Sequence, residues 1–125
     1  MPVILLLLGG CAVAPLEQQE KERLDFTVLS EERIPPQLLQ EIQKRVAVSF
    51  TLAYSDETNL YLVVSYGEQQ GSGYRIAVEE FAMTDQAIYV DTTLLGPEGT
   101  QKKQGNSCPF IVLKTKKQEK TIIFQ

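Results

Sequence analysis

The 125-residue sequence predicts a mainly β domain, an antiparallel sandwich or partly closed barrel of about seven strands with one short helix. Three observations carry that expectation. Seven segments show strand-type apolar patterning, most links between them are of hairpin length, and only one stretch repeats apolar residues at helical spacing. About a hundred residues after the N-terminal stretch suffice for one modest core.

Residues 1–11 read MPVILLLLGGC, with six consecutive apolar residues from Val3 to Leu8. That run is far short of the roughly 18 needed to span a bilayer as a helix. Leu8-Gly9-Gly10-Cys11 closely resembles the lipobox of bacterial lipoproteins. In that class the signal peptide is cut before the cysteine, whose sulfur carries diacylglycerol, which implies Cys11 as the lipid attachment residue. Positive charge normally opens such a peptide, yet no Lys or Arg precedes Lys21, so the true start is expected upstream of Met1. The competing reading is a buried strand ending at a Gly-Gly turn. The expected organisation is a signal peptide over residues 1–10, a polar tether over 11–22 and a β domain over 23–125.

The domain opens on a strand over residues 24–29, with Leu24, Phe26 and Val28 on one face, followed by a polar turn at 30–33. Pro36 suits the first position of a helix, where its missing N–H is not needed. Leu38, Leu39 and Ile42 form the helical stripe over residues 37–45, and Lys44 and Arg45 sit at its C-terminal end. Val46, Val48, Phe50, Leu52 and Tyr54 then alternate with Ala47, Ser49, Thr51 and Ala53 as a half-buried strand. The following SDETN reads as a hydrated hairpin tip holding Asp56 and Glu57.

Residues 61–80 (YLVVSYGEQQGSGYRIAVEE) are the centre of the chain. Leu62, Val63 and Val64 are apolar in succession, so both faces of that strand should be covered. Tyr74, Ile76 and Val78 alternate with Arg75, Ala77 and Glu79, and the pattern predicts a hairpin joined through Gly67, Gly71 and Gly73. Gly71 and Gly73 are the expected positive-φ positions. Further strands are expected over 87–94, 109–116 and 120–124, with 96–107 as a loop.

Charge is uneven. Residues 1–100 hold six basic and fifteen acidic groups, a net −9, while 101–125 hold six lysines and one glutamate, a net +5. An acidic protein is a poor general nucleic-acid binder. Lys102, Lys103, Lys114, Lys116, Lys117 and Lys120 are read as a soluble loop and hairpin edge, the alternative being attraction to anionic headgroups or cell-wall polymers. Histidine is absent, which removes His-dependent nucleophilic arrangements and every His-ligated metal site. No phosphate-cradling or calcium-loop motif is present, so neither an enzyme nor a cofactor is expected. Cys108 reads as a small buried residue at a strand start, since lipidation would consume its only intrachain partner, Cys11.

Val63-Val64-Ser65-Tyr66-Gly67-Glu68, then Gly71-Ser72-Gly73-Tyr74 and Ile76, and Pro109 opening Phe110-Ile111-Val112-Leu113-Lys114 together resemble the PrcB C-terminal domain family of bacterial secreted and lipid-anchored proteins. The resemblance runs from Asp25 to the C-terminus and is strongest over residues 61–78. Ser72 stands where glycine is usual, and Cys108 where Thr, Tyr or another uncharged residue is expected. The family takes its name from an accessory subunit of a bacterial surface protease complex. The resemblance therefore implies a non-catalytic, membrane-anchored envelope lipoprotein that contacts another protein, such as a secreted protease. Tyr66, Gly67, Glu68, Gly71, Ser72, Gly73 and Tyr74 are the candidate contact residues, with the two tyrosines as low-entropy anchors. The bland alternative is a turn whose glycines satisfy backbone geometry and whose Tyr74 caps the core. A second functional alternative is protease inhibition, because the Gly71–Tyr74 run is similar to the small-residue-plus-tyrosine loop of chagasin-like inhibitors.

Overall fold

The computed structural model describes residues 20–97 and 105–125. The signal-peptide and Cys11 expectations, most of the tether, and Lys102 and Lys103 lie outside these residues. Along the chain run β1 (Glu22–Arg23), β2 (Thr27–Val28), a 3-10 turn (Glu31–Arg33), α1 (Pro36–Arg45), β3 (Ser49–Ser55) and β4 (Asn59–Tyr66). They are followed by β5 (Gln69–Gln70), β6 (Arg75–Met83), β7 (Ala87–Leu95), β8 (Asn106–Ser107), β9 (Phe110–Lys116) and β10 (Thr121–Phe124). One sheet has the order β1-β6-β7-β10, a second β2-β9-β4-β3, and β5 and β8 form a two-stranded ribbon. All pairs are antiparallel except β7 with β10, which is parallel.

Leu62 and Val63 are fully buried because β4 is covered from two sides. Leu60 and Leu62, with Ile111 and Leu113 of β9, face Phe81, Ile88 and Val90 of the other sheet across the sandwich. Tyr61 and Val63, with Val112, point the other way and pack under Ile34, Leu38 and Ile42. The molecule thus has three layers: α1, then the β2-β9-β4-β3 sheet, then the β1-β6-β7-β10 sheet. The helical stripe read from the sequence is the face that buries Leu38 and Ile42.

The expected first strand is broken into β1 and β2. Between them the chain changes sheet: the Leu24 N–H donates to the Phe81 carbonyl, while the Asp25 carbonyl accepts from the Thr115 hydroxyl of β9. This crossing links the two sheets on one side of the sandwich, and among the described residues they do not close into a barrel. It also leaves Phe26 and Val28 exposed, contrary to the single face expected for Leu24, Phe26 and Val28. Phe26 keeps an edge contact with the Phe81 ring, at 5.0 Å between centroids. Ordered pairing reaches back to Glu22, opposite Met83, so the fold takes in the last residue assigned to the tether. Lys21 pairs with Glu80 at 3.3 Å and lies 4.1 Å from the Tyr89 ring centroid.

Two further expectations are corrected. The segment over 61–80 is not a hairpin, because β4 pairs with β3 and β9, whereas β6 pairs with β1 and β7. The loop between them carries the chain from one sheet to the other. The strand expected from Val46 begins at Ser49, since Val46 and Ala47 complete the turn after α1 and Val48 is exposed. A register shift between Val78 and Glu80 inserts one extra residue in β6. Such a bulge reverses the side-chain parity. Ile76 and Val78 therefore reach the core before it, and Phe81 and Met83 after it.

The β3–β4 turn is held by Asp56. Its Oδ1 accepts from the backbone N–H of Thr58 (2.9 Å) and Asn59 (2.8 Å), and its Oδ2 from the Tyr61 hydroxyl (3.2 Å). These N–H groups hold the Asp56 carboxyl below its usual range, and burial, reinforced by Asp56, pushes the Tyr61 phenol up. A carboxyl depressed in the folded state adds stability above its ordinary pKa of about 3.9, and that stability is lost as pH falls through the folded value. Native protein and Asp56→Asn should therefore differ in thermal midpoint at neutral pH and converge in acid. A difference that stays constant from neutral to acid pH would show that the Asp56 charge is not what holds the turn.

Candidate functional site

The loop between β4 and β6 sits at one end of the sandwich, and the backbone there is dictated by glycine. Gly67, Gly71 and Gly73 have φ of 77°, 85° and 93°, a region other residues rarely adopt. Gly67 is the most constrained. A Cβ there would lie 2.9 Å from the Ser49 nitrogen and 3.1 Å from the Val48 carbonyl carbon, both backbone atoms. The chain passes this close because the Glu68 N–H donates to the Ala47 carbonyl at 3.0 Å.

Beyond Gly67 the two central strands continue as the β5–β8 ribbon, with Gln69 opposite Ser107 and Gln70 opposite Asn106. Side chains brace it: Asn106 Nδ2 donates to Glu68 Oε2 (2.6 Å), and the Ser107 hydroxyl donates to the Gly71 carbonyl (2.7 Å). The Gly71 N–H donates to the Gly105 carbonyl at 2.6 Å.

The candidate residues divide accordingly. Gly67 and Gly71 are buried and serve the backbone path. Tyr66, half-buried like Tyr74, turns toward the sandwich. It lies on the side of β4 that faces the other sheet, and its hydroxyl meets Thr92 Oγ1 at 2.6 Å. Glu68 and Gly73 are exposed, while Ser72 and Tyr74 are half-buried. The Tyr74 hydroxyl donates to the Gln70 carbonyl at 2.8 Å, so its ring is held over the loop. What the end of the sandwich presents to solvent is a braced turn carrying Glu68, Ser72, Gly73 and one oriented tyrosine. Residues 60–116 match the PrcB C-terminal family. The PrcB C-terminal match covers β4 to β9, and so includes the central strand pair, the ribbon and the loop between the sheets. No curated protein and no solved structure gives a significant match.

Sequence reasoning missed Gly105, Asn106 and Ser107 as parts of this site. They read only as part of the loop over 96–107, and no local signal says that Ser107 will bond to Gly71, 36 residues away. The lysine-rich end is also rearranged. Lys114 and Lys116 lie on β9, an inner strand rather than an edge, and Lys120 Nζ donates to the Thr84 carbonyl at 2.8 Å. Cys108 is a half-buried free thiol just before β9. Among the described residues, no group of three or more His, Cys, Asp or Glu is placed to hold a metal ion. No helix there is long and apolar enough to cross a membrane.

Proposed function

We propose that this protein is a non-catalytic, lipid-anchored component of the bacterial envelope that binds another secreted protein, most specifically a protease, as an accessory or stabilising subunit. The observation that carries the reading is the PrcB C-terminal match over residues 60–116. The braced turn adds a physical reason. A loop already held by Gly105, Asn106 and Ser107 loses little conformational freedom on docking, so its contacts are not offset by ordering. Tyr74 offers apolar ring area with its hydroxyl already satisfied. Anchoring rests on the lipobox ending in Cys11, and residues 12–20 would give the domain reach from the membrane.

One experiment tests both parts. Native chain and Cys11→Ser are expressed with labelled fatty acid, and the native chain is captured from envelope extracts with its bound proteins. Label should enter the native chain alone, and a protease should co-purify. Tyr74→Ala should reduce that capture severalfold while its thermal midpoint stays close to native. A native chain expressed with its upstream start and still unlabelled removes the anchor, and capture indifferent to Tyr74 removes this loop as the contact. If captured protease loses activity stoichiometrically on adding the domain, the protein is an inhibitor rather than a stabiliser.

A further inference from the structure

The free edge of the helix-covered sheet points to a second partner surface. Among the described residues β3 pairs with β4 alone, through an unbroken register of seven residues from Ser49 opposite Tyr66 to Ser55 opposite Leu60. Its seven residues form the longest regular open edge among the described strands: β1, β2 and β10 are shorter, and the part of β6 that β1 leaves uncovered is broken by the bulge before Glu80. Proteins blunt such edges with lysine, proline, bulges or short strands. β3 has none of these: its sequence, SFTLAYS, is uncharged and its register is regular.

We infer that β3 pairs antiparallel with β3 of a second copy of this chain, about a two-fold axis at Leu52. The strand is close to a palindrome in side-chain character. A two-fold at Leu52 sets Ser49 opposite Ser55, Phe50 opposite Tyr54, Thr51 opposite Ala53, and Leu52 opposite itself. Phe50, Leu52 and Tyr54 are half-buried on the α1 side, where they already pack against the helix-side cluster. Ser49, Thr51, Ala53 and Ser55 are exposed on the other face. The register therefore joins apolar to apolar and small to small on both faces, which an isologous interface requires. It places no charge opposite a like charge. It also ends naturally, because Asp56, the next residue, is committed to the N–H groups of its own turn. The product is one continuous eight-stranded sheet, β2-β9-β4-β3 joined to its symmetry copy, with the two α1 helices on the same face.

The test uses the full chain with Cys11→Ser, so that lipid does not contribute to the mass. Light scattering behind size exclusion should give twice the 14.0 kDa chain mass for this protein. The exposed pair Thr51→Lys with Ala53→Lys sets lysine opposite lysine across the axis and should yield a monomer that keeps native circular dichroism, with a thermal midpoint that no longer rises with protein concentration. Thr51→Glu with Ala53→Glu should do the same. Mixing the lysine and glutamate chains should restore a dimer holding one of each, because opposite charges then face each other. A monomer at millimolar concentration overturns the proposal. So does a dimer indifferent to both charge pairs, which would place the contact elsewhere. Binding of a foreign extended peptide to a monomeric chain would assign the edge to a different partner and likewise overturn it.

Discussion

Gly67→Ala should lose roughly 3 kcal/mol or more of folding stability, the largest effect expected at any turn position. The φ of 77° alone costs a non-glycine residue about 1–3 kcal/mol. The added Cβ would then meet the Ser49 nitrogen at 2.9 Å, and that atom belongs to β3 backbone that cannot rotate away. Gly105 separates the two contributions. Its φ is 96°, yet a Cβ there meets nothing within 4 Å, so Gly105→Ala should cost only the backbone term. Gly73 lies between them, with a Cβ 3.1 Å from the Pro97 Cβ. Urea denaturation of the three variants should rank Gly67 well above Gly73, and Gly73 at or above Gly105. Equal losses at Gly67 and Gly105 would mean that the close approach to β3 relaxes at little cost.

Truncating the two sides of β4's sheet should give large and additive losses. Leu62 is fully buried between the sheets, and Ile42 is fully buried beneath the helix on the opposite face. Leu62→Ala and Ile42→Ala should each cost about 2–5 kcal/mol, from lost transfer energy and from the cavity left behind. The residues belong to separate clusters with a sheet between them, so the double variant should lose close to the sum, within about 0.5 kcal/mol. Strong non-additivity in a full denaturation cycle would show that the three layers are not independent packing units. The double variant is also the harshest single test of the fold, since its loss approaches the whole stability of a small domain, about 5–15 kcal/mol.

Much of the fold was legible locally. Six of the seven strand segments, all but the first, and the helix start at Pro36 follow from period-two and period-3.6 patterning and from proline's fixed φ. These are properties of consecutive residues. The positive φ at Gly71 and Gly73 was legible for the same reason, because a turn rich in glycine is where such angles are allowed. The uninterrupted apolar run at Leu62 to Val64 correctly implied cover on both faces, though not that a sheet supplies one side and a helix the other.

Partner choice was not legible, because it is decided by residues far apart in the chain. Whether β4 turned back onto β6 or left it for another sheet depended on β9, which takes the place beside β4 that a hairpin partner would hold. The split of the first strand depended on Phe81 and Thr115 offering hydrogen-bond partners in two different sheets. The bulge before Glu80 decided which of two interleaved apolar sets, Ile76 and Val78 or Phe81 and Met83, could share one core; the answer was both. At the candidate site the sequence by itself determined a glycine-rich turn with a tyrosine at its end. Only the tertiary structure decided that Tyr66 crosses the sandwich to Thr92 while Tyr74 stays at the surface. Strand parity points the first inward, and a hydrogen bond to Gln70 holds the second over the loop.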